Sequence, residues 1–319
     1  STSGEGAFNG CSSVDSLYIP EGVTDIGKNV CKDCKKLKVL TLPSSLKTIG
    51  EGAFTGCAAI TRIDVPEGVT TIGKNAFNGN TEMRVLNLPS TLTSLGEGVC
   101  QACASLTKIE IAGTVESIAK NSFLRCSNMR SAVLPDALKT IGEGAFSGCK
   151  LMSSANIPST VTTISKNAFL GCEALAGTDL PDALKTLGDS AFAHCAALET
   201  ITIPSGVTKT AIGTFYDCRG IKTLTLSENL TEIGKMAFAG CASIEEVTMG
   251  VEVKSINEAA FSGCTSLKSV TFSDALTKID KSAFKDCTSL VTVVVPNSVT
   301  TLGNEAFAGC TSLTTATIP

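Results

Sequence analysis

The sequence predicts a solenoid of about fourteen stacked coils, built mostly of parallel β-strands, for its 319 residues. A cysteine recurs every 23 residues, a phenylalanine stands three residues before most of these cysteines, and a short apolar–polar alternation ends at proline in most repeats. The recurring positions, which we call the cysteine column, are Cys11, Cys34, Cys57, Cys103, Cys126, Cys149, Cys172, Cys195, Cys218, Cys241, Cys264, Cys287 and Cys310, with Asn80 filling the one gap of 46.

The first element of each repeat is predicted to be a strand with one buried face. Its pattern, I-x-I-P, has the period of two that is typical of a half-buried strand. Proline ends the strand because it cannot donate a hydrogen bond to a continuing ladder. Other residues replace this proline at Ala112, Ser227, Gly250 and Ser273. Stacked side by side, these strands predict a parallel sheet on the concave face of the solenoid.

The rest of each repeat is predicted to lie on the convex side. V-T-x-I-G indicates a second, shorter extended piece closed by a turn glycine. K-N-A-F-x-G-C is too short for more than a turn or two of α- or 3₁₀-helix. One repeat cannot bury its apolar side chains alone, whereas stacked coils bury them in one continuous core. Segment 207–218, VTKTAIGTFYDC, lacks the usual Ile-Gly step and predicts an irregular coil.

The repeat resembles that of the BspA-like, or Treponema-type, leucine-rich repeat family. The matches include LTKIEI at 106–111, ITRIDVPEGVTTIGKNAF at 60–77 and LTLPSSLKTIGEGAFTGC at 40–57, and the resemblance covers the whole chain. It implies a leucine-rich-repeat solenoid of the α/β horseshoe class, mostly β, and a role in adhesion or host-surface recognition. Because no linker or change in composition interrupts the repeats, we predict a single domain over residues 1–319.

The composition excludes several classes of protein. The chain is 43% apolar and 18% charged, which is typical of a globular protein and not of a disordered one. A net charge of −4 without a basic run argues against a nucleic-acid partner. No apolar stretch is long enough to cross a bilayer, so no membrane insertion is expected. The opening residues lack the features of a signal peptide.

A second period, of 46 residues, appears in the charges. Six residues before each column position, acidic and basic side chains alternate, and in a stacked solenoid these residues line one edge. Opposite charges on neighbouring strands stabilise by about 0.2–1 kcal/mol per pair, which predicts a two-coil structural unit rather than a docking stripe. The residues are Glu5, Lys28, Glu51, Lys74, Glu97, Lys120, Glu143, Lys166, Asp189, Ile212, Lys235, Glu258, Lys281 and Asn304.

Two C-x-x-C pairs, Cys31–Cys34 and Cys100–Cys103, could be redox pairs, parts of a zinc site or neither. In each, the first cysteine occupies the position of the recurring phenylalanine. The pairs are three coils apart, or about 14 Å at the strand spacing, so they cannot share one zinc ion. We interpret both as core substitutions of Phe by Cys, because free cysteine packs as a small hydrophobe. A local disulfide in either pair is the alternative.

The cysteine column itself is predicted to consist of free, buried thiols. Neighbouring column side chains would be one strand spacing apart, farther than the Cβ separation that a disulfide favours. Asn80 is expected to bond the turn backbone, as Asn does at the equivalent position of leucine-rich repeats. Free thiols favour a cytoplasmic location, whereas the family resemblance favours the cell surface or secretion; both locations stay open.

No catalytic, cofactor or metal site is predicted. His194 is the only histidine, and no recurring partner stands near it in the sequence. The glycine pattern at 50–56 looks like a phosphate loop, but no Lys-Ser/Thr follows, so these glycines are assigned to turns. An enzyme would need a nucleophile–base pair, paired carboxylates or a set of metal ligands, and the sequence suggests none of these. We therefore predict that the chain is not an enzyme and carries no cofactor.

The outward positions of the predicted strands are the candidate ligand face. In the first half these positions are varied and charged, as expected of a binding face on a fixed scaffold; neutral drift on a solvated sheet is the alternative. In the second half threonine dominates, which strand propensity alone explains, while an ice-binding-like Thr array is a remote alternative. The candidate residues are Tyr18, Arg62, Asp64, Asn87, Lys108, Glu110 and Asp179.

These observations predict a non-enzymatic scaffold that binds a protein or glycan on its concave sheet. The alternative is a structural repeat array, produced by recent duplication, with no specific ligand. The sequence also starts and stops in mid-repeat without polar capping units. Uncapped solenoids tend to associate, so either the chain is a fragment or its ends stack or dimerise.

Overall fold

The computed structural model describes residues 1–318 and contains 25 short strands, with no helix among these residues. Thirteen strands have three residues and twelve have two. The described residues cluster into two compact units, 1–160 and 161–318, which we call unit 1 and unit 2. The single domain over 1–319 stays a prediction.

Unit 1 contains the first thirteen strands. Three-residue strands alternate with two-residue strands, one of each in every complete coil. The bounds are β1 Ser16–Tyr18, β2 Asp25–Ile26, β3 Val39–Thr41, β4 Thr48–Ile49, β5 Arg62–Asp64, β6 Thr71–Ile72, β7 Val85–Asn87, β8 Ser94–Leu95, β9 Lys108–Glu110, β10 Ser117–Ile118, β11 Ser131–Val133, β12 Thr140–Ile141 and β13 Ser154–Asn156.

Unit 2 repeats the pattern with two interruptions. Residues 177–179 form no named strand, and in the coil at 207–218 the second strand is reduced to an isolated bridge between Lys209 and Glu232. The bounds are β14 Thr163–Ile164, β15 Thr186–Leu187, β16 Thr200–Thr202, β17 Thr223–Thr225, β18 Glu232–Ile233, β19 Glu246–Thr248, β20 Ser255–Ile256, β21 Ser269–Thr271, β22 Lys278–Ile279, β23 Thr292–Val294, β24 Thr301–Leu302 and β25 Thr315–Thr317.

All strand pairs within each unit are parallel, and the register is one repeat. Leu17 pairs with Leu40, 23 residues later, and Ile49 pairs with Ile72 in the same way. In the three-residue strands other than β25, which is exposed throughout, the middle residue is less exposed than at least one flanking residue and points to the core, as the alternating pattern predicts. The parallel β-solenoid predicted from the repeats is confirmed. The exposed side of the three-residue strands is called the main-sheet face below.

The core of each unit is formed by ladders of identical side chains. In unit 2 the rings from Phe169 to Phe307 stack at centroid distances of 5.0–5.6 Å, with ring planes within 12° of parallel. In unit 1, Phe54 stacks on Phe77 at 6.2 Å. These rings are fully buried except at the ends of the chain. Offset stacking adds about 0.5–1.5 kcal/mol per pair beyond the burial of area.

The K-N-A-F-x-G-C segment forms neither an α- nor a 3₁₀-helix. Its alternate N–H groups donate to the carbonyls of the following coil; Phe54 N donates to Ala76 O and Gly56 N to Asn78 O, both at 2.8 Å. Two residues in each of these segments have positive φ, for example Asn29 (53°) and Asp33 (59°). Left-handed residues at this spacing interrupt a helix, so the segment becomes a further row of inter-coil hydrogen bonds.

Candidate functional site: the main-sheet face

Six of the seven candidate residues lie in unit 1, on the main-sheet face. Arg62 and Asp64 flank the buried Ile63 on β5, and Lys108 and Glu110 flank Ile109 on β9. Tyr18, 69% exposed, ends β1, and Asn87 ends β7, where it pairs with Asp64 in register. Asp179 lies in unit 2, exposed and outside any strand, so the structure does not place it on a strand face as the repeat pattern predicted.

Arg62, Asp64 and Asn87 form one hydrogen-bonded cluster. Arg62 donates to both carboxylate oxygens of Asp64, from Nε at 2.7 Å and from Nη2 at 2.9 Å. Asn87 Nδ2 donates to Asp64 Oδ1 at 2.6 Å. The hydrogen bond from Arg62, aided by that from Asn87, lowers the pKa of Asp64. The cluster presents fixed polar atoms with little net charge.

Lys108 and Glu110 form a second internal pair, with Nζ 3.1 Å from Oε2. They line a shallow cavity of about 230 Å³ together with Arg84, Asn87 and Thr107. Both ion pairs join residues two apart on one strand, which therefore point to the same face. Four of the six predicted anchors thus neutralise one another before any ligand arrives.

Three cations that sequence reasoning missed border the same face. Lys38, Arg84 and Arg130 each stand just before a three-residue strand, four residues after a column position, in every second coil. All three are exposed, and none has an acidic side chain within ion-pair distance among residues 1–318. We call them the cationic row. The recurrence every 46 residues is present in the sequence, but these residues lie one position before the strands and so outside the predicted outward strand positions.

His194 has a partner that its sequence neighbours did not reveal. Its Nδ1 lies 3.2 Å from Asp217 Oδ2, one coil later, and Arg219 Nε lies 2.7 Å from the other carboxylate oxygen. Burial raises the pKa of Asp217, but the hydrogen bonds from Arg219 and His194 outweigh it and the pKa is lowered overall. The adjacent Cys195 is fully buried with a raised pKa, so it is not an activated nucleophile.

The two C-x-x-C pairs differ in the structure. A disulfide joins Cys31 and Cys34, so the interpretation of this pair as two free core thiols is wrong. Cys100 and Cys103 are free and fully buried, as a core substitution requires. A spacing of three residues brings the Cα atoms of the bridged pair to 5.6 Å, which a disulfide accommodates.

The column thiols have a role that the spacing alone did not indicate. Each buried Sγ–H donates to the carbonyl at the phenylalanine position of the preceding coil, as Cys57 does to Cys31 O at 3.0 Å and Cys218 to Phe192 O at 3.0 Å. Burial raises the pKa of the Cys57 thiol to about 12. The Cys57 thiol is therefore a protonated structural donor at neutral pH.

Asn80 breaks the column. The expected bond to the turn backbone is absent: among the described residues neither Oδ1 nor Nδ2 of Asn80 has a hydrogen-bond partner, although the side chain is fully buried. The fixed coil geometry that suits a thiol leaves the larger, flat amide of Asn80 without an acceptor or donor in line.

The alternating charges form discrete pairs between coils. In each of them a lysine meets the glutamate of the following coil. The pairs are Lys28–Glu51 (3.3 Å), Lys74–Glu97 (3.2 Å), Lys120–Glu143 (3.1 Å) and Lys235–Glu258 (2.9 Å). A two-coil unit is the natural building block of this edge.

Residues 1–318 contain no cluster of three or more His, Cys, Asp or Glu side chains that could hold a metal ion. The described chain also has no helix of the length and apolarity needed to cross a bilayer.

Comparison with known structures supports the fold. A leucine-rich repeat protein from Bacteroides ovatus is 27% identical, with a TM-score of 0.78, over 95% of this chain and 87% of that one. A leucine-rich cell surface protein from Faecalibacterium prausnitzii (23%, TM-score 0.56, 95% and 87% covered) and a leucine-rich repeat protein from Eubacterium ventriosum (22%, 0.52, 96% and 84%) share the fold. Among curated proteins, none matches this chain.

The family model described as "BspA type Leucine rich repeat region (6 copies)" matches residues 1–130, 116–245 and 208–319, so that together its matches span the sequence. The 23-residue register, the buried Phe and Cys ladders and the parallel strands are the physical form of that repeat. The chain belongs to the family of BspA-type leucine-rich repeat proteins.

Proposed function

We propose that the chain is a non-enzymatic scaffold that recognises a protein or glycan on its main-sheet face, mainly through unit 1. The observation that carries the proposal is the Arg62–Asp64–Asn87 cluster, which fixes charged and amide groups on the exposed strands. A preorganised polar group loses less side-chain entropy on binding than a free one, so this cluster favours recognition.

The contrast between the two units supports the assignment to unit 1. On the main-sheet face of unit 2, Thr200 and Thr202 pair in register with Thr223 and Thr225, so the same short hydroxyl side chain is repeated. In unit 1 the corresponding positions carry guanidinium, carboxylate, amide and ammonium groups. Varied chemistry on an invariant backbone is what specificity requires.

The test is a binding screen of the purified chain against glycan arrays and extracellular proteins, followed by affinity measurement on each hit. The unit 1 variant removes both ion pairs by four alanine substitutions: Arg62→Ala, Asp64→Ala, Lys108→Ala and Glu110→Ala. It leaves the net charge unchanged and is expected to weaken binding at least tenfold. The matched control replaces Thr200, Thr202, Thr223 and Thr225 by Ala and is expected to bind within twofold of the wild type.

The alternative is a structural array without a specific ligand. The observation that favours it is the threonine-rich main-sheet face of unit 2, which Glu246 and Val294 interrupt. If no hit in the screen is saturable, or if the unit 1 and unit 2 variants bind every hit equally, the alternative is the better account.

A further inference from the structure

We propose that the cationic row of unit 1, Lys38, Arg84 and Arg130, receives an extended acidic segment of a partner protein that lies across the strands. The inference rests on the proposed recognition function of the main-sheet face and names the chemistry of its ligand. These three residues are the cations on that border that no side chain of the described chain neutralises.

The members of the cationic row are evenly spaced because the coils that carry them are stacked at a constant spacing. Its members are 46 residues, or two coils, apart, which places successive backbones about 10 Å apart at the strand spacing. Exposed Thr61 and Thr107 stand between them, and Thr107 Oγ1 donates to Arg84 O at 3.4 Å. The row is therefore a line of cations with hydroxyl groups in the gaps.

The neighbouring charges do not cancel the row. Arg62 is neutralised by Asp64, and Lys108 by Glu110, each on its own strand. Asp15 occupies the equivalent position one coil before Lys38; its carbonyl oxygen accepts the Lys38 N–H, and its carboxylate is not within ion-pair distance of the Lys38 ammonium. An excess of positive charge is left along β3 to β11.

The same row in unit 2 provides the internal contrast. From 199 to 268, acidic and basic residues alternate coil by coil and pair with each other: Glu199 with Lys222 at 3.6 Å and Glu245 with Lys268 at 2.7 Å. Unit 2 shows that this border can be neutralised within the scaffold by placing Glu in the alternate coils. Unit 1 has Thr61, Thr107 and Ser153 at three of those positions, and Asp15 at the fourth makes no ion pair with Lys38, so its cations stay available to a ligand.

An extended acidic peptide fits this spacing. Three residues of extended chain span about 10 Å, so acidic residues at every third position would meet successive cations of the row. Tyr18 is the one aromatic side chain on the strand-flanking positions of unit 1, so ring stacking contributes little there and charge dominates recognition. Exposed ion pairs are individually weak, and the affinity would come from their repetition.

The test uses three labelled twelve-residue peptides and the full chain. The first peptide has Glu at every third position between Gly and Ser, the second has the same composition with its Glu residues adjacent, and the third has Gln for Glu. We expect the spaced peptide to bind several-fold tighter than the clustered one and the Gln peptide not to bind. Raising the salt to about 0.5 M should abolish the difference, because exposed charges are then screened.

The variants are matched pairs of exposed cations. Arg84→Gln with Arg130→Gln should weaken the spaced peptide about tenfold, whereas Lys222→Gln with Lys268→Gln in unit 2 should change its affinity less than twofold. Equal losses in both pairs would overturn the proposal, and so would equal binding of the spaced and clustered peptides. Neither pair removes a core contact, so both variants are expected to fold.

A sulfated polysaccharide is the competing probe. If it binds in a manner that depends on Arg84 and Arg130 while the spaced peptide does not bind, the peptide assignment is wrong. The proposed function is tested separately, by the alanine set at Arg62, Asp64, Lys108 and Glu110. A ligand that is lost in that set but unaffected by Arg84→Gln with Arg130→Gln would refute the present inference alone.

Discussion

Cys103 donates its Sγ–H to the carbonyl oxygen of Phe77, 26 residues earlier, across 3.1 Å in the fully buried core. The same contact recurs along the cysteine column of both units. A thiol is small enough to pack between phenylalanine ladders and is still a donor, so it adds a second hydrogen bond to a buried carbonyl that already accepts the Asn80 N–H at 3.4 Å. The buried free cysteines of the column thus act as hydrogen-bond donors, whereas Cys34 is bridged to Cys31.

Asn80 should be a weak point of the column, and its replacement by Cys should stabilise the protein. Leaving a buried polar group without a partner costs about 1–3 kcal/mol, and both amide atoms of Asn80 are unpartnered. We expect Asn80→Cys to raise the free energy of unfolding by about 1–3 kcal/mol in urea denaturation under reducing conditions. The mirror control, Cys57→Asn, should lower it by a similar amount. An unchanged midpoint for Asn80→Cys would mean that the amide is satisfied in solution.

The oxidation state of the cysteines predicts a definite thiol count. Protein purified without reductant should expose thirteen thiols on unfolding and fifteen after reduction, because Cys31 and Cys34 are bridged and thirteen cysteines are free. Before unfolding, the half-buried Cys11 should react first. Burial raises the pKa of Cys149 and Cys264 to about 12, so these thiols should be unreactive in the folded protein. A count of eleven would show that Cys100 and Cys103 are bridged as well, and fifteen before reduction would contradict the disulfide.

Packing at Asn75 and Gly98 gives the two-coil unit a steric basis that can be tested by a double-mutant cycle. Gly98 has φ of +59°, and an added Cβ would overlap Asn75 Oδ1 of the preceding coil. Gly98→Ala should therefore destabilise by about 1–3 kcal/mol, through the left-handed backbone and the overlap together. Ala259 occupies the repeat position equivalent to Gly98 and has φ of 54°. The backbone strain of an alanine is therefore tolerable at this position of the repeat.

Removing the Asn75 side chain isolates the steric part. Asn75→Gly combined with Gly98→Ala should be more stable than the sum of the single changes predicts, with a coupling of about 1 kcal/mol. Additive free energies of unfolding would show that the overlap is relieved in Gly98→Ala by a shift of the coil.

The architecture was predictable from the sequence because its signals are periodic and local. The 23-residue interval fixes the register, seen in the pairing of Leu17 with Leu40, and the alternating charges anticipated pairs such as Lys28–Glu51. The disulfide and the contact between His194 and Asp217 depend on three-dimensional geometry that the repeat pattern does not specify. Both C-x-x-C pairs have the same spacing, yet only one is bridged, and the approach of Asp217 to His194 depends on the stacking of two turns.

The candidate site was predicted less well than the fold. Arg62 and Lys108 were identified as candidates from their outward positions on the predicted strands. Their ion pairs with Asp64 and Glu110 were not predicted, although residues i and i+2 of one strand lie on the same face. The cationic row was overlooked because its residues precede the strands. Whether these cations have ion-pair partners depends on the distances between side chains of neighbouring coils. Those distances cannot be obtained from the sequence.

Asp217 should make acid stability depend on its hydrogen bonds with Arg219 and His194. Its pKa is lowered in the folded protein, so its contribution to stability is present above the ordinary value of 3.8 and is lost as the pH falls through the folded value. Asp217→Asn should therefore lower the melting temperature at pH 6 and converge with the wild type at about pH 2–3. Asparagine also accepts the positive φ of this position, 57°, so backbone strain is not introduced. A constant difference at every pH would show that charge is not the cause.

Lys74 and Glu97 test whether the alternating edge stabilises the stack or only avoids repulsion. The pair is 3.2 Å apart and about half exposed, so it should contribute no more than about 1 kcal/mol. Lys74→Gln removes the attraction, and Lys74→Glu also places a like charge beside Glu97. If attraction dominates, the two variants should lose similar stability in urea denaturation at low salt. If avoidance of repulsion dominates, Lys74→Glu should lose clearly more, by about 0.2–1 kcal/mol, and about 1 M salt should remove the difference between them. We expect the second outcome, because an exposed ion pair gains little from attraction alone. Like charges on successive coils, in contrast, would repel each other at every step of the stack.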